Sequence, residues 1–214
     1  MDTTATCAPT TFGLLRHGKT VWNEEKRVQG RGNSPLTEEG ISQTEQWAKR
    51  CHVMAWDRII ASDLGRVQQT VTLLNEQLRL PVTFDHRLRE QDWGTWEGMR
   101  VTDVRQQYPE VLAEQIAAGW DFTPPDGESR AQARARAFEA LNDAHATHAG
   151  QNILIVCHLG IIKCLVYAVA GRSFLPHEPS LLEKDRLHRI SCNDNGYAIT
   201  ELNIHPSEET GNSR

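Results

Sequence analysis

Three strand-like runs in this 214-residue chain each end in residues that handle anionic oxygen. Thr11–Leu15 leads into Arg16-His17-Gly18. Asp57–Ser62 leads into Asp63-Leu64-Gly65-Arg66, and Asn152–Cys157 into His158-Leu159-Gly160. Each run has strand composition, and each is followed by a segment with helix character or turn residues. In open α/β sheets, ligands bind beyond the carboxyl ends of the strands. Two histidines and two arginines would therefore meet at one sheet edge, with helix N-termini behind them offering free backbone N–H groups. Arginine presents a forked donor that suits the oxygens of a tetrahedral phosphoryl group, and a neutral imidazole nitrogen can attack phosphorus. A single strand-end histidine is usually a hydrogen-bonding residue and a single arginine at a helix start a surface charge. Here three junctions in one chain deliver the same chemistry to the same edge.

The elements that must position these residues alternate between strand-like and helix-like, which predicts a layered α/β fold. Thr37 has the character of an N-cap, with Glu38 and Glu39 in the first turn, and Leu36 and Ile41 are spaced for a hydrophobic staple. Leu64, Val67, Val71, Leu74 and Leu78 step by three and four along one helix face. Pro81–Phe84 reads as a short strand. Residues 94–126, rich in Trp, Gly and Pro, read as a lid-like insertion. Ser129 caps an Ala-rich helix to about His148. Asn152–Cys157, apolar nearly throughout, reads as a strand buried on both faces. A helix follows from Ile161 to Ala170, closed by Gly171, with final strands near His188–Asn193 and Tyr197–Leu202 and a polar tail after His205. The economical division is a single domain over 1–214, its core spanning about 11–204.

Composition narrows the partners. Lys and Arg total 23 against 28 Asp and Glu, a formal charge of −5, which argues against a general nucleic-acid or anionic-membrane binder. No run approaches the ~18 apolar residues of a membrane span. Met1–Thr10 lacks the cationic and apolar regions of a secretory signal. The five cysteines (Cys7, Cys51, Cys157, Cys164 and Cys192) include no Cys-x-x-Cys. Their odd number argues against a disulfide framework or structural zinc. A reduced, cytoplasmic protein is the expectation, and a homodimer is left open.

The motifs also carry a resemblance. Leu15-Arg16-His17-Gly18 with Thr20 and Asn23, then Arg27–Gly30 and Pro35–Gly40, resembles the opening signature of the histidine phosphatase superfamily, the phosphoglycerate-mutase-like proteins. Ala61–Thr70, Leu88–Gly98, Pro125–Ser129 and Val156–Gly160 follow in that family's order, so the resemblance covers roughly residues 11–170. It implies a three-layer α/β/α sandwich around a mostly parallel sheet. It also implies that His17 is the nucleophile, that Arg16, Arg66 and His158 hold the phosphoryl oxygens, and that Glu90 is the proton donor. Asn23, Gln29, Gly30 and Leu159 fall at positions expected to bind substrate. No metal or cofactor is expected, since two Arg and His158 can stabilise the equatorial charge of phosphoryl transfer.

Three positions depart from the family pattern and bear on substrate fit. Lys19 stands where Glu or Gln is common and would add a cation near the pocket mouth. Asn33 replaces a frequent Asp, and Leu159 replaces the first Gly of His-Gly-Gly. Glu97 is a rival to Glu90 for the acid role. Trp93 and Trp96 divide evenly between walling the substrate cavity and packing. Arg130, Arg134 and Arg136 read as a solvated face, and His145 and His148 as surface residues rather than metal ligands. A mutase must grip a substrate carboxylate, usually with basic residues in a longer insertion, whereas Arg105 to Arg130 here encloses no Lys or Arg. The reading is therefore a phosphatase acting on a small phosphate monoester through phosphohistidine. Cofactor-dependent phosphoglycerate mutase is the alternative within the family, and a non-catalytic phospholigand-binding protein the alternative from another class.

Overall fold

The computed structural model describes residues 8–207. Cys7, the N-terminal stretch before it and most of the polar tail after His205 lie outside the described residues. Six strands form one sheet: β1 (Thr10–Arg16), β2 (Arg58–Ala61), β3 (Val82–Phe84), β4 (Asn152–Cys157), β5 (Leu187–Asn193) and β6 (Gly196–Ile204), in the order β3-β2-β4-β1-β5-β6. β1 pairs parallel with β4, and β2 parallel with both β3 and β4. β5 and β6 close one edge as an antiparallel pair beside β1.

The helices are α1 (Val21–Glu24), α2 (Glu38–His52), α3 (Gly65–Leu78), α4 (Val101–Gln107), α5 (Pro109–Ala117), α6 (Arg130–Thr147) and α7 (Leu159–Val169). The central strand β4 explains the layering. Ile153, Ile155 and Cys157 face one core with the alanines of α6 and with Ile161, Ile162 and Leu165 of α7. Leu154 and Val156 face the other core with Trp47 and Ala48 of α2 and Val67, Val71 and Leu74 of α3. A period of two along one apolar strand thus feeds both faces, and the expected three-layer α/β/α sandwich results.

Local signals set the helix ends. Thr37 accepts the Gly40 N–H, and Ser129 forms a capping box with Gln132. Helix α7 begins two residues earlier than its apolar pattern suggests, because His158 is still extended and the chain turns helical at once after it. Residues 94–126 hold two 3₁₀ turns with α4 and α5. Trp96, Val104 and Phe122 form a small apolar cluster of their own there, with Trp93 and Met99 against it.

Candidate active site

All three predicted junctions lie at the carboxyl ends of adjacent parallel strands. Arg16 ends β1, His158 follows β4, and Ser62 follows β2 and leads to Arg66 in the first turn of α3. A cavity of about 360 Å³ opens over them, lined by Arg16, His17, Arg66 and Glu90 together with Asn23, Gln29, Gly30 and Leu159. Eight of the nine expected site residues therefore border one space. The ninth, His158, is fully buried and stands behind Arg66 rather than on the cavity wall.

Hydrogen bonds fix the state of His17. Its Nδ1 lies 2.8 Å from the Gly18 carbonyl, which can only accept, so Nδ1 carries the proton. Arg66 Nε, which can only donate, approaches His17 Nε2 at 3.2 Å. Nε2 therefore bears the lone pair. Burial lowers the His17 pKa well below the usual histidine value, and the Arg16 and Arg66 cations push it the same way. The ring is neutral at neutral pH.

Arg66 is itself almost wholly buried. Nη1 donates to Gly32 O (2.6 Å), and Nη2 to Gly30 O (2.7 Å) and His158 Nδ1 (3.1 Å). Burial lowers its pKa to about 10, which leaves it charged. Since Nδ1 of His158 accepts from Arg66, its Nε2 carries the proton and donates to Ser62 Oγ at 2.9 Å. Burial, then Arg66, keeps this ring neutral too. Both nitrogens of His158 are thus occupied. Arg16 differs: its Nε is buried without a hydrogen-bond partner, and the residue borders the cavity, leaving a donor for an anion.

At each of the two helix N-termini one backbone N–H is already taken by a side chain. Asn33 Oδ1 accepts from Arg66 N at 3.1 Å, so this departure from the family pattern caps α3. Glu90 Oε2 accepts from Gly160 N at 3.1 Å, in the first turn of α7, and Oε1 from Gln91 N at 2.9 Å. A Cβ at Gly160 would collide with the Glu90 carboxylate, so glycine here makes room for that group. Glu97, the rival acid, is used differently. It accepts from the backbone N–H groups of Arg31, Gly32 and Trp93 and ties down the loop that bears Gly30. That loop turns at Gly30 with φ +49°, and a side chain there would run into Glu97.

Other expectations need correction. Lys19 adds no cation to the cavity; it pairs with Glu24 (3.1 Å) and Glu39 (2.5 Å) on the outside. Arg130, Arg134 and Arg136 are no solvated face. The Arg130 guanidinium lies 4.1 Å from the Phe122 ring centroid and 4.2 Å from that of Phe174, and Arg134 lies over Trp120. Arg136 bridges Glu128 to the carbonyls of Arg87, Arg89 and Glu90. It holds the segment that carries Glu90. The misreading arose because α6 buries small alanines, so its arginines reach past them to neighbouring loops. Trp93 walls the cavity, whereas Trp96 is core of the 94–126 cluster. His145 contacts Thr10 Oγ1 at 2.8 Å. Among the described residues, no three His, Cys, Asp or Glu side chains cluster to hold a metal, and no helix is long and apolar enough to cross a membrane. Lys163, on the cavity wall, was missed outright, and Arg130, expected in a solvated face, borders the cavity as well. Lys163 had a visible signal, as the one charge in the otherwise apolar α7.

Comparison with known proteins agrees with this geometry. The model of the histidine phosphatase superfamily (branch 1) matches residues 12–205. A protein of Enterobacter sp. (strain 638) named "Probable phosphoglycerate mutase GpmB" is 37% identical over 158 residues, 74% of each chain. The solved structure of Bacillus stearothermophilus YhfR has a TM-score of 0.84 at 29% identity, covering 92% of this chain and 98% of that one. A mycobacterial glucosyl-3-phosphoglycerate phosphatase, solved with VO3, has a TM-score of 0.79 at 26% identity, covering 91% and 99%. With its arginine-histidine cluster at the ends of the parallel strands and a family match over nearly its whole length, this chain belongs to the histidine phosphatase superfamily.

Proposed function

We propose that this protein hydrolyses a small phosphate monoester in two phosphoryl transfers, with His17 as the group that is transiently phosphorylated. One observation carries the reading: the lone pair of His17 is fixed at Nε2, on the wall of the cavity that also holds the Glu90 carboxyl group. In the first transfer Nε2 attacks phosphorus and the ester P–O bond breaks. The departing oxygen takes its proton from Glu90. In the second, water attacks phosphorus, gives its proton to Glu90, and the P–N electron pair returns to His17. Arg16 supplies unpartnered donors to the phosphoryl oxygens. Arg66 exchanges its bond to Nε2 for one to oxygen, and the equatorial charge is stabilised without a metal. His158 acts by holding Arg66. Its other nitrogen is anchored on Ser62, so Arg66 is braced from behind. Asn23, Gln29, Gly30 and Leu159 shape the space around the ester. Residues 11–204 act as one catalytic unit, with 94–126 as its lid, on a small soluble substrate in the cytoplasm and without nucleic acid.

The mutase reading has the Enterobacter relative in its favour. Against it stand the phosphatase named among the structural relatives and the short lid, whose large apolar residues Trp96, Val104 and Phe122 pack on one another. Between Arg105 and Arg130 that lid has no Lys or Arg with which to grip a mutase's substrate carboxylate. The test is to mix enzyme with labelled p-nitrophenyl phosphate, quench, and map the label. It should sit on His17, be absent in His17→Ala, and turnover should fall by roughly the several orders of magnitude seen when a nucleophile is removed. Label on another residue overturns the assignment. Interconversion of 2- and 3-phosphoglycerate without phosphate release would make the protein a mutase.

A further inference from the structure

The charges around the cavity do not balance once a phosphoryl group is placed. Arg16 and Arg66 are committed to that group. Arg27 is neutralised by Glu25, with Nε to Oε2 at 2.5 Å. Two cations remain on the wall, Arg130 from the start of α6 and Lys163 from α7, and Glu90 is the cavity's single carboxylate.

Neither cation has a carboxylate partner among the described residues. The Arg130 guanidinium lies over the rings of both Phe122 and Phe174, and its Nη1 donates to Gly119 O at 3.0 Å. Burial lowers its pKa to about 10, so it keeps its charge at neutral pH. The two residues come from adjacent helices, joined where Cys164 Sγ meets Arg130 O at 3.8 Å. Trp93, Val101 and Phe174 add apolar surface to the wall of the same cavity. Such a wall screens charge poorly, so two like charges there repel unless an anion arrives. The two ring contacts remove rotamer freedom from Arg130 beforehand, which lowers the cost of binding that anion.

We infer that Arg130 and Lys163 form a subsite for a second anionic oxygen group on the substrate, borne by the part of the ester that leaves. The substrate class is then a phosphate monoester whose alcohol carries a carboxylate or a second phosphate. This rests on the phosphatase reading and narrows it. Specificity lies in α6 and α7, outside the lid.

Phosphate release from three esters of matched three-carbon skeleton tests the inference: glycerol 3-phosphate with a neutral alcohol, 3-phosphoglycerate with a carboxylate, and propane-1,3-diol bisphosphate. The wild-type enzyme should favour one anionic ester over glycerol 3-phosphate in kcat/KM by roughly ten- to hundredfold, the scale of one or two charge-assisted hydrogen bonds. Which anionic ester wins tells carboxylate from phosphate. Lys163→Gln and Arg130→Gln should each shrink that ratio, Lys163→Glu should invert it, and Lys163→Arg should restore it. Thermal melts of each variant separate unfolding from lost recognition, and Lys163, at the cavity wall without such ring contacts, is the safer site. p-Nitrophenyl phosphate separates the two claims. If the wild type neither hydrolyses it nor forms phosphoenzyme, the phosphatase reading itself fails. If it does, but all three esters fall within about threefold or the ratio survives both substitutions, the subsite is overturned.

Discussion

Arg66 holds His17 through the atom proposed to attack: its Nε donates to His17 Nε2 over 3.2 Å, while its Nη2 donates to His158 Nδ1 over 3.1 Å. One guanidinium thus occupies the lone pairs of both rings, and the rings meet edge to face with centroids 5.2 Å apart. Guanidinium binds phosphoryl oxygen more strongly than neutral imidazole, because charge assists both partners. An arriving ester therefore draws Arg66 away from nitrogen and exposes the nucleophile in the same movement. Arrival of the substrate and release of the attacking lone pair are one event.

Two neutral buried histidines make the fold sensitive to acid. Burial first, then Arg16 and Arg66, hold the His17 pKa below its ordinary value, and burial with Arg66 does the same to His158. Unfolding returns both to about 6.5. Between the folded and unfolded values the unfolded chain holds more protons, so stability rises with pH across that window and is lost as pH falls below about 6.5. Each ring contributes a slope of up to about 1.4 kcal/mol per pH unit there. Urea unfolding between about pH 5 and pH 7 should show that His17→Asn is less acid-sensitive than wild type by about one such slope. An unchanged slope would mean that His17 is protonated in the folded protein.

Arg136 should act on catalysis without touching substrate. It donates to the carbonyls of Arg87 and Arg89 at 2.6 Å and of Glu90 at 3.0 Å, and its pairing with Glu128 is largely buried. Arg136→Gln leaves Glu128 and these carbonyls short of donors and should cost about 3 kcal/mol of stability. In the protein that remains folded, kcat for an alkyl phosphate should fall more than kcat for p-nitrophenyl phosphate, because the acid is what moves. Equal losses would give Arg136 a purely structural role.

The layers and the cluster were legible in the sequence because their causes are local. The apolar run of β4, the three- and four-residue steps of α3 and the Thr37 and Ser129 caps depend on neighbours in the chain. Arg16, His17 and Arg66 were legible because strand ends converge whatever the loops do, whereas Glu90 followed only from the family resemblance. Arg136, Glu97 and Asn33 were not, because their partners lie far along the chain: Asn33 caps a helix that begins at Gly65, and Glu97 ties a loop at Arg31 and Gly32. A charged residue without a local partner looks solvated until the fold brings its acceptor. The withdrawal of His158 behind Arg66 was hidden for the same reason, since Ser62 and Arg66 reach it only across the sheet.

Gly160 should prove sensitive to a single methyl group. It sits in the first turn of α7, where alanine is otherwise the better helix former, so stability alone favours Gly160→Ala. Yet the added Cβ meets the Glu90 carboxylate. The acid must move, and a displacement near 1 Å can cost about a hundredfold in rate. The expected outcome is a melting temperature unchanged or raised, with a fall of that order in single-turnover rate on an alkyl phosphate. Full activity in the alanine variant would show that Glu90 acts from another position.

The two carboxylates of the 90–97 segment can be told apart by leaving group. Glu90 borders the cavity and is held by Gly160 N and Gln91 N, whereas Glu97 spends its oxygens on the backbone N–H groups of Arg31, Gly32 and Trp93. An alkyl phosphate departs as a basic alkoxide that needs a proton in the transition state; p-nitrophenolate is stable without one. Glu90→Gln should therefore slow phosphorylation of His17 by roughly the 10²–10⁴-fold typical of acid catalysis with an alkyl ester, and by much less with p-nitrophenyl phosphate. Glu97→Gln replaces an acceptor of three N–H groups by a weaker one. It should lower the melting temperature and reduce the rates for both esters alike, as the loop bearing Gly30 loosens. Phosphoenzyme formation in a single turnover is the right measurement, because hydrolysis of the intermediate also uses the base and would blur the contrast. Equal losses on the two esters in Glu90→Gln would remove that residue from the acid role, and a selective loss in Glu97→Gln would transfer the role there.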